Sequence, residues 1–249
     1  ASAKVSLIRL KLREKGAKWT LITSIDDIAW LTNLRANDIL YNPVFYSYAF
    51  ISLNEAILYT SPKRFTKDLK AKTEEVFVIK DYKEIFNDIE RLTKRGVGYY
   101  DPNKVNYVFA PYVLKARNIT GRDISTDLKA RKNPAELEGM RRAHFLDGIA
   151  FANFMAQIDR RGHYSEMEIS ERFEREREKM EGYLGPSFGP ISGFREHGAM
   201  CHYSATESSN KAIDQEGLLV LDTGSQFEFG MTDLTRTLLF GNEPTEEEK

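Results

Sequence analysis

The sequence predicts an α/β domain with a mixed sheet, followed by an α+β region that ends in a β-meander. Apolar segments of strand length alternate with helix-like segments over roughly the first 125 residues, a pattern typical of α/β domains. The order then changes to two long helical segments, a stretch rich in glycine and proline, and closely spaced apolar runs. We therefore expect a first domain over residues 1–127 and a second over residues 128–249.

Composition narrows the class of protein. Hydrophobic residues make up 41% and charged residues 29% of the 249 residues, proportions typical of a soluble globular protein. The formal net charge is −1, whereas nucleic-acid binders usually carry a basic excess, so nucleic acid is not an expected partner. Cys201 is the only cysteine, which excludes an internal disulfide and indicates a reducing, cytoplasmic compartment. The charged N-terminus does not resemble a signal peptide, and no membrane span is predicted.

The first region is predicted to open with a helix and to continue with alternating strands and helices. Val5, Ile8 and Leu12 recur at helical spacing, and a glycine follows them. Ser24 is a candidate N-cap for a second helix. Residues 81–96 form an amphipathic pattern that also ends at a glycine. The predicted strands are 19–24, 45–53, 56–60, 76–80 and 96–101.

The second region is predicted to open with a capped helix. Asn133 is a suitable N-cap, proline is tolerated at the next position, and the helix is expected to run to about Asp159. Ser165 begins the capping signature S-x-x-E before the helix ISERFEREREKM. The charge run at 171–179 is interpreted as a solvated face. The apolar face predicted for the first helix comprises Leu146, Ile149, Ala150, Phe154 and Ile158.

The segment LLVLDTGSQFEFGMTDLTRTLLFG, residues 218–241, carries Asp222 and Asp233 eleven positions apart. Its apolar runs and glycines predict strand, turn, strand, bend and strand, which brings both aspartates to one face. The aspartates are open to interpretation as turn residues, as the D-T-G-S of a pepsin-like protease, or as metal ligands. The pepsin-like reading needs two such copies on an all-β scaffold. Burial in strand cores favours metal ligands, because two close buried carboxylates need a positive partner.

Several segments, in the same order, resemble the pita-bread metallopeptidases, and among them the three-domain aminopeptidase P (Xaa-Pro aminopeptidase) family. The aspartate segment resembles that family's G-T-T-D-x-T-R-T block. DDIAWLTNLRANDILYNPVFYSYAFISL resembles its middle domain, KNPAELEGMRRAH its catalytic entry helix, and HGAMCHYSAT its N-G-A-I-x-H-Y block. The resemblance covers the whole chain. It implies a creatinase N-terminal-like (ribonuclease H-like) α/β domain followed by the first half of a pita-bread domain.

The resemblance also implies roles for single residues. Asp222 would bind one of two divalent metals, most simply Mn²⁺, and Asp233 would bridge both, so that a bridging hydroxide attacks the scissile carbonyl. His202 would bind the substrate and stabilise the tetrahedral intermediate. Phe188 would form a wall of the substrate pocket. Without the resemblance, His202 could equally be a structural residue, and Phe188 could equally be part of the hydrophobic core. Cys201 and His202 are adjacent and could be interpreted as a catalytic nucleophile and its base. Neighbouring residues on a strand point to opposite faces, however, which argues against such a pair.

The resemblance implies that the protein is a metal-dependent exopeptidase, which releases the N-terminal residue of a peptide whose second residue is proline. It also implies a homodimer.

The sequence departs from the family pattern at His197, where the family usually has Asn, and at Met231, where it usually has Thr. The family's further metal ligands, a histidine and two glutamates, follow the aspartate pair, and no match to them follows here. The chain is therefore interpreted as a central fragment, inactive alone. The alternatives are a non-catalytic peptide-binding pita-bread module, a prolidase, or a creatinase.

Overall fold

The computed structural model describes residues 1–214, 216–247 and 249. The chain divides into two compact units, Ala1–Lys132 and Asn133–Lys249. Among the helices of the described residues, none combines the length and the apolar character that a membrane span requires.

The first unit alternates helices and strands as the sequence predicts. Its helices are α1 (Ser2–Glu14), α2 (Ile25–Thr32), α3 (Lys67–Glu74), α4 (Ile85–Thr93), α5 (Ala110–Val113) and α6 (Ile124–Ala130). Its strands are β1 (Trp19–Ile22), β2 (Tyr48–Ser52), β3 (Ala56–Tyr59), β4 (Val78–Lys80), β5 (Gly98–Tyr100) and β6 (Asn118–Thr120). Each predicted strand overlaps an observed one, whereas the short elements α3, α5, β6 and α6 were not predicted.

The strands of the first unit form a mixed sheet in the order β4-β3-β2-β1-β5-β6. β2 pairs antiparallel with both β1 and β3, while the outer pairs are parallel, which confirms the predicted mixed sheet. Alternate residues of β2 enter opposite cores: Tyr48 and Phe50 on one face, Ala49 and Ile51 on the other. Both faces are therefore covered, which explains why these strands read as continuous apolar runs.

The second unit combines two long helices with three small sheets. Its helices are α7 (Pro134–Gln157) and α8 (Glu166–Arg177). Its strands are β7 (Tyr164–Ser165), β8 (Tyr183–Pro186), β9 (Ile191–Phe194), β10 (Ala212–Ile213), β11 (Gly217–Thr223), β12 (Ser225–Phe227), β13 (Gly230–Met231) and β14 (Leu234–Phe240). The sheet orders are β14-β11-β9, β13-β12-β8 and β10-β7. Strands follow residue 217 as predicted, but the predicted β-meander is wrong. β11 pairs with β14, whereas β12 pairs with β13 and β8 in another sheet, and Gly230 lies in β13 rather than in a bend.

The helices α7 and α8 cover one face of the β14-β11-β9 sheet. Leu219 and Leu221 of β11 are buried against Phe154 of α7 and Phe173 of α8. Val220 between them and Asp222 after them point to the other face and are half-buried. β11 therefore has one packed face and one face that the described residues cover only in part.

The N-terminus of α7 is capped as predicted. Asn133 Oδ1 accepts a hydrogen bond from the Glu136 N–H at 2.9 Å, and the Glu136 carboxylate accepts one from the Asn133 N–H at 2.9 Å. This reciprocal capping box satisfies two backbone donors that would otherwise lack partners. The predicted cap of α8 is also confirmed, because Ser165 Oγ accepts a hydrogen bond from the Glu168 N–H at 3.2 Å.

Two predictions about α7 and α8 are wrong. Ile149 was placed on the buried face of α7, but it is 37% exposed, and Asp147 is buried instead. The charge run at 171–179 was interpreted as solvated, but Arg177 is only 1% exposed. Arg177 and Asp147 form an ion pair with each other, at 2.7 Å between Nε and Oδ1. Long-range pairing of this kind leaves no local pattern in the sequence.

Asp88 on α4 ties that helix to the sheet of the first unit. Its carboxylate accepts hydrogen bonds from Tyr59 Oη and Arg91 Nη2, each at 2.9 Å, and it pairs with Lys80. Burial acts to raise the pKa of Asp88, but the hydrogen bonds from Lys80, Arg91 and Tyr59 outweigh it and lower the pKa to about 2. The folded chain therefore keeps this carboxylate charged at pH values where the unfolded chain protonates it.

We expect Asp88→Asn to lower the free energy of unfolding near neutral pH by on the order of 2 kcal/mol. Because the folded pKa is depressed, this contribution is fully present above the ordinary value of 3.8 and is lost as the pH falls toward about 2. Urea denaturation near neutral pH and near pH 2 measures the difference between the variant and the wild type. Asp68→Asn, on the exposed first turn of α3, is the control. A deficit of the same size at both pH values would contradict the assigned pKa.

Candidate functional site

Asp222 lies near the end of β11, directly opposite Thr235 of β14. Thr235 Oγ1 donates a hydrogen bond to Asp222 Oδ1 at 2.7 Å. On the other side of β11, Asp222 is opposite Ile191 of β9. The backbone at Asp222 is therefore fixed between two neighbouring strands, and its carboxylate is oriented by a threonine across the ladder.

Asp233 lies directly before β14 and two residues from Thr235. Side chains two residues apart on an extended segment share one face of a sheet. The β11–β14 ladder ends at the pair Thr223–Leu234, and alternation continued one residue beyond it would put Asp233 on the same side as Asp222, in the diagonal position. Diagonal neighbours have Cα atoms roughly 7–8 Å apart, a separation that two carboxylates and an intervening cation can span.

Neither aspartate lies in a strand core, contrary to the expectation from sequence. Asp222 is half-buried, and Asp233 lies outside the strand and is exposed. The apolar residues around Asp222 mislead because only alternate ones, such as Leu221, pack toward the helices. The argument that burial of the pair requires a positive partner therefore does not hold for the described residues.

Gly224 allows a close approach of two backbone segments just after Asp222. A Cβ at this position would lie 2.1 Å from Ser187 Oγ and 2.3 Å from the Thr232 carbonyl oxygen. Ser187 Oγ donates to that same carbonyl at 2.8 Å, and the Ser187 N–H donates to the Gly224 carbonyl at 3.0 Å. Glycine is thus required here by packing, which explains its place in the D-T-G triplet.

His202 lies in an exposed turn, residues 200–203, which we call the histidine turn. Its φ of +57° is in the left-handed region, which few residues other than glycine adopt. Cys201 is exposed in the same turn. The premise that these two neighbours lie on a strand is wrong, because the polar segment around them forms no ladder. The described hydrogen bonds do not join His202 to either aspartate.

Glu166, the first residue of α8, is fully buried and holds the histidine turn. Its carboxylate accepts hydrogen bonds from Tyr203 Oη at 2.8 Å, the Phe194 N–H at 2.7 Å and the Lys211 N–H at 3.0 Å. His197 Nδ1 lies 2.9 Å from Glu166 Oε1, and its ring packs on Tyr203 with centroids 4.5 Å apart. His197, a departure from the family pattern, therefore has a contact that supports this segment.

Phe188 lines a cavity of about 140 Å³ together with Thr223 and Gly224. Thr223 Oγ1 is buried and has no hydrogen-bond partner among the described residues. Thr223 belongs to the helix-covered face of β11, whereas Asp222 belongs to the opposite face. Phe188 therefore lies against the residues that follow Asp222, but neither Asp222 nor Asp233 lines the cavity that it helps to form.

The number and type of ligand atoms determine whether the described residues could hold a metal ion. Asp222 and Asp233 offer carboxylate oxygens, which hard divalent cations prefer. Two carboxylates are fewer ligands than a stable site for such a cation requires. Over the described residues, no group of three or more His, Cys, Asp or Glu side chains is arranged to hold a metal ion. The described chain therefore offers part of a ligand set.

Comparison with known families defines the class of protein. Residues 1–136 match the model of the Creatinase/Prolidase N-terminal domain, and residues 138–249 match that of metallopeptidase family M24. The first match alone spans more than half of the chain. The chain therefore belongs to the Creatinase/Prolidase N-terminal domain family, continued by an M24 metallopeptidase segment, as the resemblance indicated.

Individual relatives carry the name Xaa-Pro aminopeptidase P. The "Probable Xaa-Pro aminopeptidase P" of Sordaria macrospora is 34% identical over 270 residues, which cover 100% of this chain and 43% of that protein. The protein of the same name from Verticillium alfalfae is 37% identical over 256 residues, which cover 97% and 42%. The chain thus spans less than half the length of these relatives.

Solved structures confirm the predicted fold class. The X-prolyl aminopeptidase of Caenorhabditis elegans, described as a cytosolic enzyme with a di-nuclear active site, matches with a TM-score of 0.92 at 29% identity. The match covers 98% of this chain and 42% of that one. An X-Pro aminopeptidase of Thermotoga maritima shares the fold with a TM-score of 0.76 at 21% identity, over 98% and 66% of the two chains.

Sequence reasoning missed three buried charged residues that frame the candidate site: Asp147, Glu166 and Arg177. Asp147 had a detectable signal, because it lies four residues after Ala143 and three before Ala150, on the face that packs inward. The other two had none, since charged residues at the start of a helix and in a helical charge run are usually exposed.

Gly224→Ala is expected to destabilise the second unit by about 1–3 kcal/mol, because the added methyl overlaps Ser187 and the Thr232 backbone. Thermal unfolding measures the change. Gly148→Ala is the matched control: it lies on the exposed side of α7, and an added Cβ meets nothing within 4 Å. The control is expected to be neutral or stabilising, since alanine favours helix. Equal losses in the two variants would contradict the packing argument.

Tyr203→Phe is expected to loosen the histidine turn, because it removes a hydrogen bond to the buried Glu166 carboxylate. Amide hydrogen exchange within residues 195–211 should accelerate by about tenfold or more, since a bond to a charged group is worth about 1.5–3 kcal/mol. Tyr107→Phe, at a position 90% exposed, is the control. Unchanged exchange in Tyr203→Phe would show that other contacts hold the turn.

Proposed function

We propose that this chain supplies two metal ligands, Asp222 and Asp233, to an Xaa-Pro aminopeptidase, which releases the N-terminal residue of a peptide whose second residue is proline. The observation that carries the proposal is the register of β11 and β14, with Asp222 opposite Thr235 and Asp233 two residues before it. The names of the relatives support the same activity. Since the chain spans less than half of them, the remaining ligands are proposed to lie outside these 249 residues, and the chain alone is proposed to be inactive.

In the proposed centre, Asp222 and Asp233 would be among the residues that hold two divalent cations, most simply Mn²⁺. When bound, such a pair lowers the pKa of water enough to supply a nucleophile at neutral pH. This chain is proposed to fix the positions of the Asp222 and Asp233 carboxylates. Thr235 Oγ1 donates to Asp222 Oδ1, which fixes the orientation of that carboxylate in the manner of an outer-sphere partner.

His202 and Phe188 are proposed to contact the substrate. His202 is exposed and has positive φ, a conformation often found at ligand-binding positions, and an imidazole there can hydrogen-bond the substrate and stabilise the tetrahedral intermediate. Phe188 is proposed to form a wall of the substrate pocket. An Xaa-Pro bond lacks the N–H of other peptide bonds, so its recognition relies on the shape of the proline ring rather than on that donor.

The wider setting follows from the same proposal. Residues 1–127 are proposed to form the middle domain and residues 128–249 the first half of the catalytic domain. A cytosolic location is proposed because the C. elegans relative is described as cytosolic. The proposed partners are the peptide substrate and a second copy of the protein, and neither nucleic acid nor membrane is among them.

The experiment is Mn²⁺-dependent release of the N-terminal residue from an Xaa-Pro-Pro peptide. We expect the full-length protein that carries these residues to cleave, and the 249-residue chain, assayed in parallel, to be silent. Asp222→Asn and Asp233→Asn in the full-length protein should each lower kcat/KM by more than about 100-fold, because each removes an anionic ligand.

Asp214→Asn is the matched control, because Asp214 is exposed in the same unit and lies outside the β11–β14 pair. It should retain activity. A full-length protein that is silent with metal supplied, or that cleaves equally well without Asp233, would contradict the proposal. The first outcome would favour a peptide-binding module without catalysis.

A further inference from the structure

A buried polar network joins α7 and α8 to the segment 223–232, which lies between the two aspartates and contains β12 and β13. Asp147 is 1% exposed and Arg177 is 1% exposed, and they are joined by Nε to Oδ1 at 2.7 Å and Nη2 to Oδ2 at 3.2 Å. Ser225 Oγ donates to Asp147 Oδ1 at 3.1 Å, and Thr232 Oγ1 donates to Asp147 Oδ2 at 2.7 Å. Both carboxylate oxygens thus accept two hydrogen bonds each, which uses the acceptor capacity of an ionised aspartate.

Thr232 is the residue that connects this network to the candidate site. Its N–H donates to the Ser225 carbonyl at 2.8 Å, and its carbonyl accepts from Ser187 Oγ at 2.8 Å. Its hydroxyl donates to Asp147 and accepts from the Ser225 N–H at 3.0 Å. Every polar group of Thr232 is therefore bound within the buried frame, and the next residue in the chain is Asp233.

The helix α7, which carries Asp147, lies close to the segment 223–232. A Cβ at Gly139 of α7 would lie 2.1 Å from the Phe229 carbonyl oxygen, and one at Gly230 of β13 would lie 2.9 Å from the Gly139 carbonyl oxygen. The two backbones are thus in direct contact at a pair of glycines. This contact involves none of the residues of the polar network, and it brings α7 close to β13.

We propose that Asp147 is a positioning residue for the metal site: through Thr232 it holds Asp233 in the place where its carboxylate meets that of Asp222. The inference rests on the proposed function of the two aspartates. A buried ion pair adds little net stability compared with apolar residues of the same volume. The network instead fixes the position of Thr232. The next residue, Asp233, is exposed and lies outside the β11–β14 ladder.

The test compares Thr232→Val with Thr232→Ser in the full-length protein. Valine keeps the shape of threonine and removes the hydroxyl, whereas serine keeps the hydroxyl. We measure the Kd for Mn²⁺ on the metal-free protein by electron paramagnetic resonance of the free ion, together with circular dichroism and thermal unfolding. Thr232→Val should weaken Mn²⁺ binding by about 10- to 100-fold, the range for outer-sphere partners of metal ligands. Thr232→Ser should stay within about threefold of the wild type.

Two further variants separate positioning from general stability. Thr93→Val removes another buried threonine hydroxyl, one bonded only within α4, and should leave the Kd unchanged. Asp147→Asn removes the charge and presents an amide in place of one carboxylate oxygen, and it should weaken Mn²⁺ binding as Thr232→Val does. Thr232→Ala, which leaves the buried Asp147–Arg177 pair intact, replaces Thr232→Val if the latter does not fold.

The outcomes distinguish this inference from the proposed function. If Asp233→Asn weakens Mn²⁺ binding and Thr232→Val lowers only the unfolding temperature, the positioning role is overturned and the proposed function stands. If Asp233→Asn leaves the Kd unchanged, Asp233 is not a ligand, and both are overturned. Loss of affinity in Thr232→Val with recovery in Thr232→Ser supports the positioning role.

Discussion

The register between β11 and β14 is the constraint on which the candidate site depends. A slip of one residue would turn Asp222 toward the helix-covered face and bring Leu221 out of the core. The burial of Leu219 and Leu221 against α7 and α8 opposes such a slip. Thr235, opposite Asp222, adds a side-chain hydrogen bond in this register. The apolar pattern and the polar contacts therefore specify the same arrangement, as expected for a sequence whose local and global preferences agree.

Buried carboxylates of the second unit form hydrogen bonds to the segments that carry the exposed candidate residues. Asp147, paired with Arg177, hydrogen-bonds Thr232 directly before Asp233, and Glu166 hydrogen-bonds Tyr203 of the histidine turn. Each buried carboxylate accepts several hydrogen bonds, so the cost of removing it from water is offset locally. Exposed functional side chains need such support, because they have few packing contacts of their own to hold them.

Much of the fold could be predicted because its signals are local. The cap at Asn133 and the strands of the first unit each depend on a few neighbouring residues, and the structure contains them. The β-meander was predicted wrongly, because the pairing of β11 with β14 and of β12 with β8 depends on contacts distant in sequence. The aspartates were found by their spacing and their resemblance to a family. The exposure of Asp233 was not predictable, because it depends on which strand face other elements cover. Thr232 meets Asp147 across 85 residues of sequence, and no local pattern encodes such a contact.

The central claim is that Asp222 and Asp233 bind the same pair of metal ions. The most direct measurement is an anomalous difference map from a crystal of the full-length protein loaded with Mn²⁺. The account predicts two anomalous peaks between the strands, with the Asp233 carboxylate in contact with both and the Asp222 carboxylate in contact with one. Peaks bound elsewhere, with these two carboxylates free of metal, would contradict it.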